Sequence, residues 1–132
     1  MSPEIARRLQ RFREIVSQQV RWCSDERFVE EHALGASPGG DLAPFGWHVV
    51  GATIGGNAVV IREGDPGVYF ADHTSYSDDE VCYPTADGNG WTSEPLSAAS
   101  VRRSLVLLAS TDEEFVRLAR SGEMDGLIDS LD

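Results

Sequence analysis

A chain of 132 residues, 41% hydrophobic and 25% charged, buries roughly two-thirds of its unfolded surface when it folds. It has the material for one core, and its composition excludes a disordered or fibrous chain. Its formal net charge of −11 is carried downstream: residues 1–34 hold six Arg against six acids, and residues 35–132 hold five Arg against sixteen acids, with no lysine anywhere. Such a surface repels nucleic-acid phosphates and anionic lipid; it either steers a basic partner inward or is a solvated face that keeps the chain soluble, and the expected partner is a protein, with no nucleic acid and no membrane.

Ser2-Pro3-Glu4 reads as a cap with proline in the first turn, and Ile5, Leu9, Phe12, Val16 and Val20 recur at three-to-four spacing; the pattern predicts an amphipathic helix over 3–23. A second short helix is expected over 24–34 and a Gly/Pro-rich loop over 35–40. From Pro44 the texture becomes β-rich. A hairpin is predicted from 47–54 and 58–61 around Gly55-Gly56-Asn57, a turn over 62–67 set by Asp65-Pro66-Gly67, and a third strand over 68–72. The apolar run at 58–61 predicts a central strand covered on both faces.

Residues 76–95 are acidic and turn-rich, with one short strand expected at 81–83. Residues 97–108 can begin as helix, while 105–109 fit equally well as a last strand. Thr111-Asp112-Glu113-Glu114 is a capping box, in which the Thr111 hydroxyl and the Glu114 carboxylate satisfy each other's free backbone donors. A helix therefore starts there, with Phe115, Leu118 and Ala119 toward the core. Gly122 ends it, and Met124, Leu127, Ile128 and Leu131 continue the helical spacing.

Chemistry-bearing motifs are few. A Walker loop needs a lysine, and a dinucleotide fingerprint needs its glycines between strand and helix; Gly55-Gly56 joins strand to strand. Asp72-His73 with His48, Glu63 and Asp65 has the residue types for zinc or proton transfer, but the spacing of none of them sets a ligand geometry, and neighbours on a strand point to opposite faces. A strand-end pair capping nearby backbone is the simpler reading. Asp87-Gly88-Asn89-Gly90 begins like a calcium loop, yet Trp91 and Ala98 stand where ligands belong. No serine or cysteine sits in a nucleophile motif. No cofactor is therefore expected. Cys23 and Cys82 form no Cys-x-x-Cys and read as reduced structural thiols; with no apolar run near roughly 18 residues and no secretory signal at the arginine-rich start, the expected compartment is the cytoplasm.

The order of features carries more than any one of them: Pro44-Phe45-Gly46, then Gly55-Gly56-Asn57 before an apolar strand, then Val68-Tyr69-Phe70-Ala71-Asp72-His73, then the capped helix with Phe115. Over residues 44–120 this resembles the SUKH superfamily, whose members carry a Gly-Gly-Asn or Gly-Gly-Asp turn, a Val-Tyr-Phe-x-Asp-His strand and a Ser/Thr-x-x-Glu-Phe helix. The resemblance implies one α+β domain over 1–132, an antiparallel sheet meander flanked by N-terminal and C-terminal helices, with no enzymatic activity. It also implies an immunity protein that neutralises a cognate toxin domain, often a nuclease; a scaffold or regulatory adaptor is the alternative, and a small metal-dependent hydrolase has the least support. A nuclease domain is commonly basic, which agrees with the charge. In this reading residues 55–73 are framework. The partner-binding residues are expected to be Asp78, Asp79 and Glu80, with Tyr76, Tyr83 and Trp91 as aromatic anchors and Glu63 and Asp65 extending the patch.

Overall fold

The computed structural model describes residues 1–77 and 79–132. Helix α1 (Pro3–Phe12) starts where Ser2 accepts the Ile5 N–H and buries Ile5, Leu9 and Phe12. It stops at Phe12 rather than running to residue 23. The Ser17 hydroxyl accepts the N–H groups of Gln19 and Val20, turning the chain into strand β1 (Val20–Trp22). Val20 fits a helical period equally well, but its backbone pairs with Thr53 instead. The Trp22 ring then stacks on Phe12 at 5.6 Å, and Phe115 meets both edgewise.

Helix α2 (Asp25–Glu31) is capped by Ser24. Within the expected loop over 35–40, residue 39 already begins a short helix, α3 (Gly39–Leu42), followed by a 3-10 turn ending at Gly46 with φ 85°. A Cβ at Gly39 would lie 1.8 Å from the Glu31 carbonyl oxygen, so the approach of α3 to α2 requires glycine.

Strands β2 (Trp47–Thr53), β3 (Ala58–Arg62) and β4 (Asp65–Ala71) form the expected meander. With β1 and β8 (Val106–Ala109) they make an antiparallel sheet in the order β1-β2-β3-β4-β8. Ala58, Val59, Val60 and Ile61 are all buried, as a strand covered on both faces requires. The β3–β4 reversal is tighter than 62–67: Arg62 pairs with Asp65 across Glu63-Gly64, Gly64 supplies φ 81°, and Asp65-Pro66-Gly67 already belongs to β4. Pro66 has no N–H to donate and is tolerated at this strand start because it has no partner in the β3–β4 ladder and pairing with β8 begins only at Val68. Buried Arg8 reaches across from α1 to the carbonyl oxygens of Arg62, Asp65, Pro66 and Gly67 and grips the Asp112 carboxylate through Nε and Nη2.

Residues 76–95 contain more than the one expected strand. A second antiparallel sheet orders β5 (Tyr76–Ser77), β6 (Glu80–Pro84) and β7 (Trp91–Pro95). β6 contains the strand expected at 81–83; β5 is two residues long and β7 is polar, so hydrophobic patterning does not disclose them, and backbone pairing with the inward residues Tyr76 and Val81 holds the sheet. Both readings of the next segment are realised in succession. Helix α4 (Ala98–Ser104) begins in a two-serine capping box, Ser97 with Ser100, and the chain turns extended at Leu105 before β8.

Helices α5 (Asp112–Ser121) and α6 (Glu123–Leu131) are separated by Gly122 at φ 84°. Half of the predicted cap forms as written, Thr111 Oγ accepting the Glu114 N–H at 3.1 Å; the Glu114 carboxylate instead accepts the N–H and hydroxyl of Ser110. Phe115, Met124 and Ile128 are buried, while Leu127 is exposed.

Candidate functional site

The Gly55-Gly56-Asn57 turn and His73 form one hydrogen-bonded joint. Asn57, buried, accepts the His73 backbone N–H at 2.9 Å and faces His73 Nδ1 at 2.7 Å; since Asn57 Oδ1 only accepts, that ring nitrogen carries the proton. Asn57 Nδ2 donates to Asp132, whose carboxylate also takes the Thr53 hydroxyl at 2.7 Å and the Gly55 N–H at 3.1 Å. The C-terminal end of α6 is thereby tied to the hairpin turn.

Asp72 is not on a strand, as the opposite-face argument assumed. The strand ends at Ala71, and Asp72 caps a 3-10 turn by accepting the Thr74 N–H and hydroxyl. Its carboxylate stands 4.0 Å from His73 Nδ1. His48 is elsewhere, stacked on Phe28 at 5.8 Å and 5.5 Å from the His32 ring. Burial, with the His32 charge second, pushes the His48 pKa down. Among the described residues no group of three or more His, Cys, Asp or Glu is placed to hold a metal ion.

The expected partner-binding residues separate into two sets. Tyr76 is interior: the Ser104 hydroxyl donates to Val101 O, so Tyr76 is the donor in its 2.7 Å bond to Ser104, and burial pushes its phenol up to about 12. Asp65 is also committed. Partial burial would raise its carboxyl, but the Gly67 N–H and Arg102, whose Nη1 lies 2.7 Å away, outweigh that and hold it below the usual carboxylate range. Neither residue is free to meet a partner.

Side chains alternate across a strand, and the register of the small sheet decides the rest. Val81 and Tyr83, with their cross-strand partners Glu94 and Thr92, share the inner face. There Tyr83 donates to Glu94, which Arg103 of α4 grips with bonds of 2.9 and 2.6 Å. Glu80, Cys82 and Pro84, opposite Pro95, Ser93 and Trp91, share the outer face. Trp91 is 69% exposed there, Ser93 donates to Glu80 at 3.3 Å, and the Cys82 thiol lies 3.6 Å from Ser93.

Asp79 and Glu80 are exposed and make no ion pair among the described residues. Glu63 is exposed on the β3–β4 turn of the larger sheet. Asp78 lies outside the described residues. The outer face therefore carries the free carboxylate of Glu80 at one end, next to exposed Asp79 in the preceding turn, and Trp91 at the other. Ser93, Pro95 and Cys82 belong to it as well; alternation over 91–95 would have found Ser93 and Pro95 had that segment been read as a strand, and alternation over 81–83 would have found Cys82. No family model matches the sequence, and no curated protein or solved structure matches it.

Proposed function

We propose that the protein is a non-enzymatic immunity protein of the SUKH type, which neutralises a cognate basic toxin domain by docking the small sheet's Glu80 and Trp91, with Asp79 of the adjoining turn, against it. The observation that carries the reading is the exposure of Trp91 on the same face as an uncompensated Glu80. A large aromatic held in solvent on the same face as a free carboxylate suits an interface anchor and charge complementarity to a basic surface. The net charge of −11 adds long-range attraction for that partner. The order of the Gly-Gly-Asn turn, the Val-Tyr-Phe strand and the capped helix supports the family.

The test is a tagged purification from the native cell at low and high salt, with wild type and with Glu80→Arg/Trp91→Ala. One stoichiometric protein, lost at high salt and lost by the variant, with nuclease activity that the purified wild type inhibits, is the expected result. Several substoichiometric partners insensitive to both changes would replace this reading with a scaffold or adaptor.

A further inference from the structure

A groove with a volume of about 640 Å³ lies elsewhere, between the end of α1 and α5. On α5 it is lined by Glu113, Val116, Arg117 and Arg120, which fall at i, i+3, i+4 and i+7 and so form a single helix face. That face is turned away from the one carrying Phe115 into the core. The opposite wall is Arg11, at the end of α1, with Glu14, Ile15 and Val16 from the segment after it. Val16 is 91% exposed at the rim.

Arg117 and Arg120 make no ion pair among the described residues, whereas six other arginines each have a carboxylate within 4.0 Å. Arg11 pairs with Glu113 at 2.9 Å, but both side chains are open to solvent, and such a pair holds little energy against a competitor. On a chain with net charge −11, this groove presents two unpaired cations, Arg117 and Arg120, against one further carboxylate, Glu14, beside aliphatic side chains, and so keeps a local positive balance.

From these contacts we infer that the α1–α5 groove is a second docking site, which takes a linear, acidic, aliphatic segment of a partner protein. Charge complementarity selects the occupant: carboxylates to meet Arg117 and Arg120, and a branched apolar residue to cover Val16 and Val116. A groove walled on one side by a single helix face suits a chain segment laid along that face. The ten residues of α5 span roughly 15 Å, matching about four or five extended residues. The rest of the molecule repels an acidic segment at long range, so low salt does not accelerate this association as it does that of a basic partner at the small sheet.

The test pans a random dodecapeptide phage library on the full chain and measures the synthesised winners by fluorescence anisotropy. Enriched peptides should carry at least two Asp or Glu beside Leu, Ile or Val, and should bind at least tenfold more weakly to Arg117→Glu/Arg120→Glu and to Val16→Glu. Both variants change exposed side chains, and an unchanged urea midpoint verifies their folding. No enrichment, enrichment without acids, or equal affinity for the variants would overturn the inference. So would a variant-sensitive affinity for phosphatidylglycerol vesicles exceeding that for any peptide, which would make the groove a lipid site. The variants leave Glu80 and Trp91 intact, so failure here is separable from failure of the immunity reading.

Discussion

Replacing Arg8 by alanine removes a guanidinium that joins three elements through contacts to Asp112 and to four backbone carbonyls of the β3–β4 reversal. The Arg8 and Asp112 side chains are 6% and 14% exposed. Removing one partner of a buried pair costs about 3–5 kcal/mol, because the other charge and its acceptors stay buried. Asp112 stands in the first turn of α5, where the helix N-terminus stabilises a carboxylate by about 0.3–1 kcal/mol, so the lower end, about 3 kcal/mol, is expected. That is a large share of the roughly 5–15 kcal/mol typical of a domain. With a urea slope of about 1.5 kcal/mol per molar, the midpoint falls by roughly 2 M. Urea unfolding followed by tryptophan fluorescence and far-UV circular dichroism measures this directly. Arg8→Lys should recover only part of the loss, since a compact ammonium cannot span the carboxylate and the carbonyls together. Arg8→Met/Asp112→Leu should recover more, because no unpaired charge remains. A midpoint within about 0.5 M of wild type for Arg8→Ala would refute the assignment of Arg8 as the tie between α1, the sheet and α5.

Three further outcomes follow from individual contacts. Asn57→Asp places a second carboxylate where Asn57 Nδ2 now donates to Asp132 at 3.0 Å; the variant should lose about 2–3 kcal/mol at pH 7 and less near pH 4, by the same unfolding assay, as repulsion is relieved on protonation. His48 has a folded pKa below its ordinary value of 6.5 because of burial and the neighbouring His32. Its contribution is fully present above pH 6.5 and is lost as pH falls through the depressed folded value, since the unfolded chain binds the proton first. Unfolding free energies measured between pH 7.5 and 5 should therefore fall less steeply in His48→Gln than in wild type, and parallel curves would contradict this. Gly39→Ala forces a Cβ to 1.8 Å from the Glu31 carbonyl oxygen, so at least the roughly 1–3 kcal/mol of an overpacked core should appear as a lowered thermal midpoint.

What could be read along the chain is what neighbouring residues decide among themselves. The start and end of α5 follow from Thr111 and Gly122, each acting within one turn of the helix. The meander through β2, β3 and β4 follows from glycine turns between apolar runs, and β3 was recognisable as central because four successive apolar residues need cover on both faces. The asparagine of the Gly-Gly-Asn turn was legible as framework, although its bond to Asp132, far along the chain, was not.

Strand β1 depended on distant partners. Val20 continues the spacing of Phe12 and Val16, and only the pairing of Val20 with Thr53 makes it a strand edge. Of the small sheet only β6 was legible; β5 and β7 were hidden because the sheet buries little beyond Tyr76 and Val81, leaving backbone hydrogen bonds, which have no side-chain signature, to define it. The candidate site divides the same way. Exposed acids and aromatics over 76–95 marked the region, but the Pro84–Trp91 register placed Trp91 on the face of Glu80, while Ser104 and Arg102, from α4, drew Tyr76 and Asp65 into the structure. Periodicity and capping are short-range consequences of backbone geometry; burial, register and ion pairing depend on which residues from elsewhere arrive at the same place.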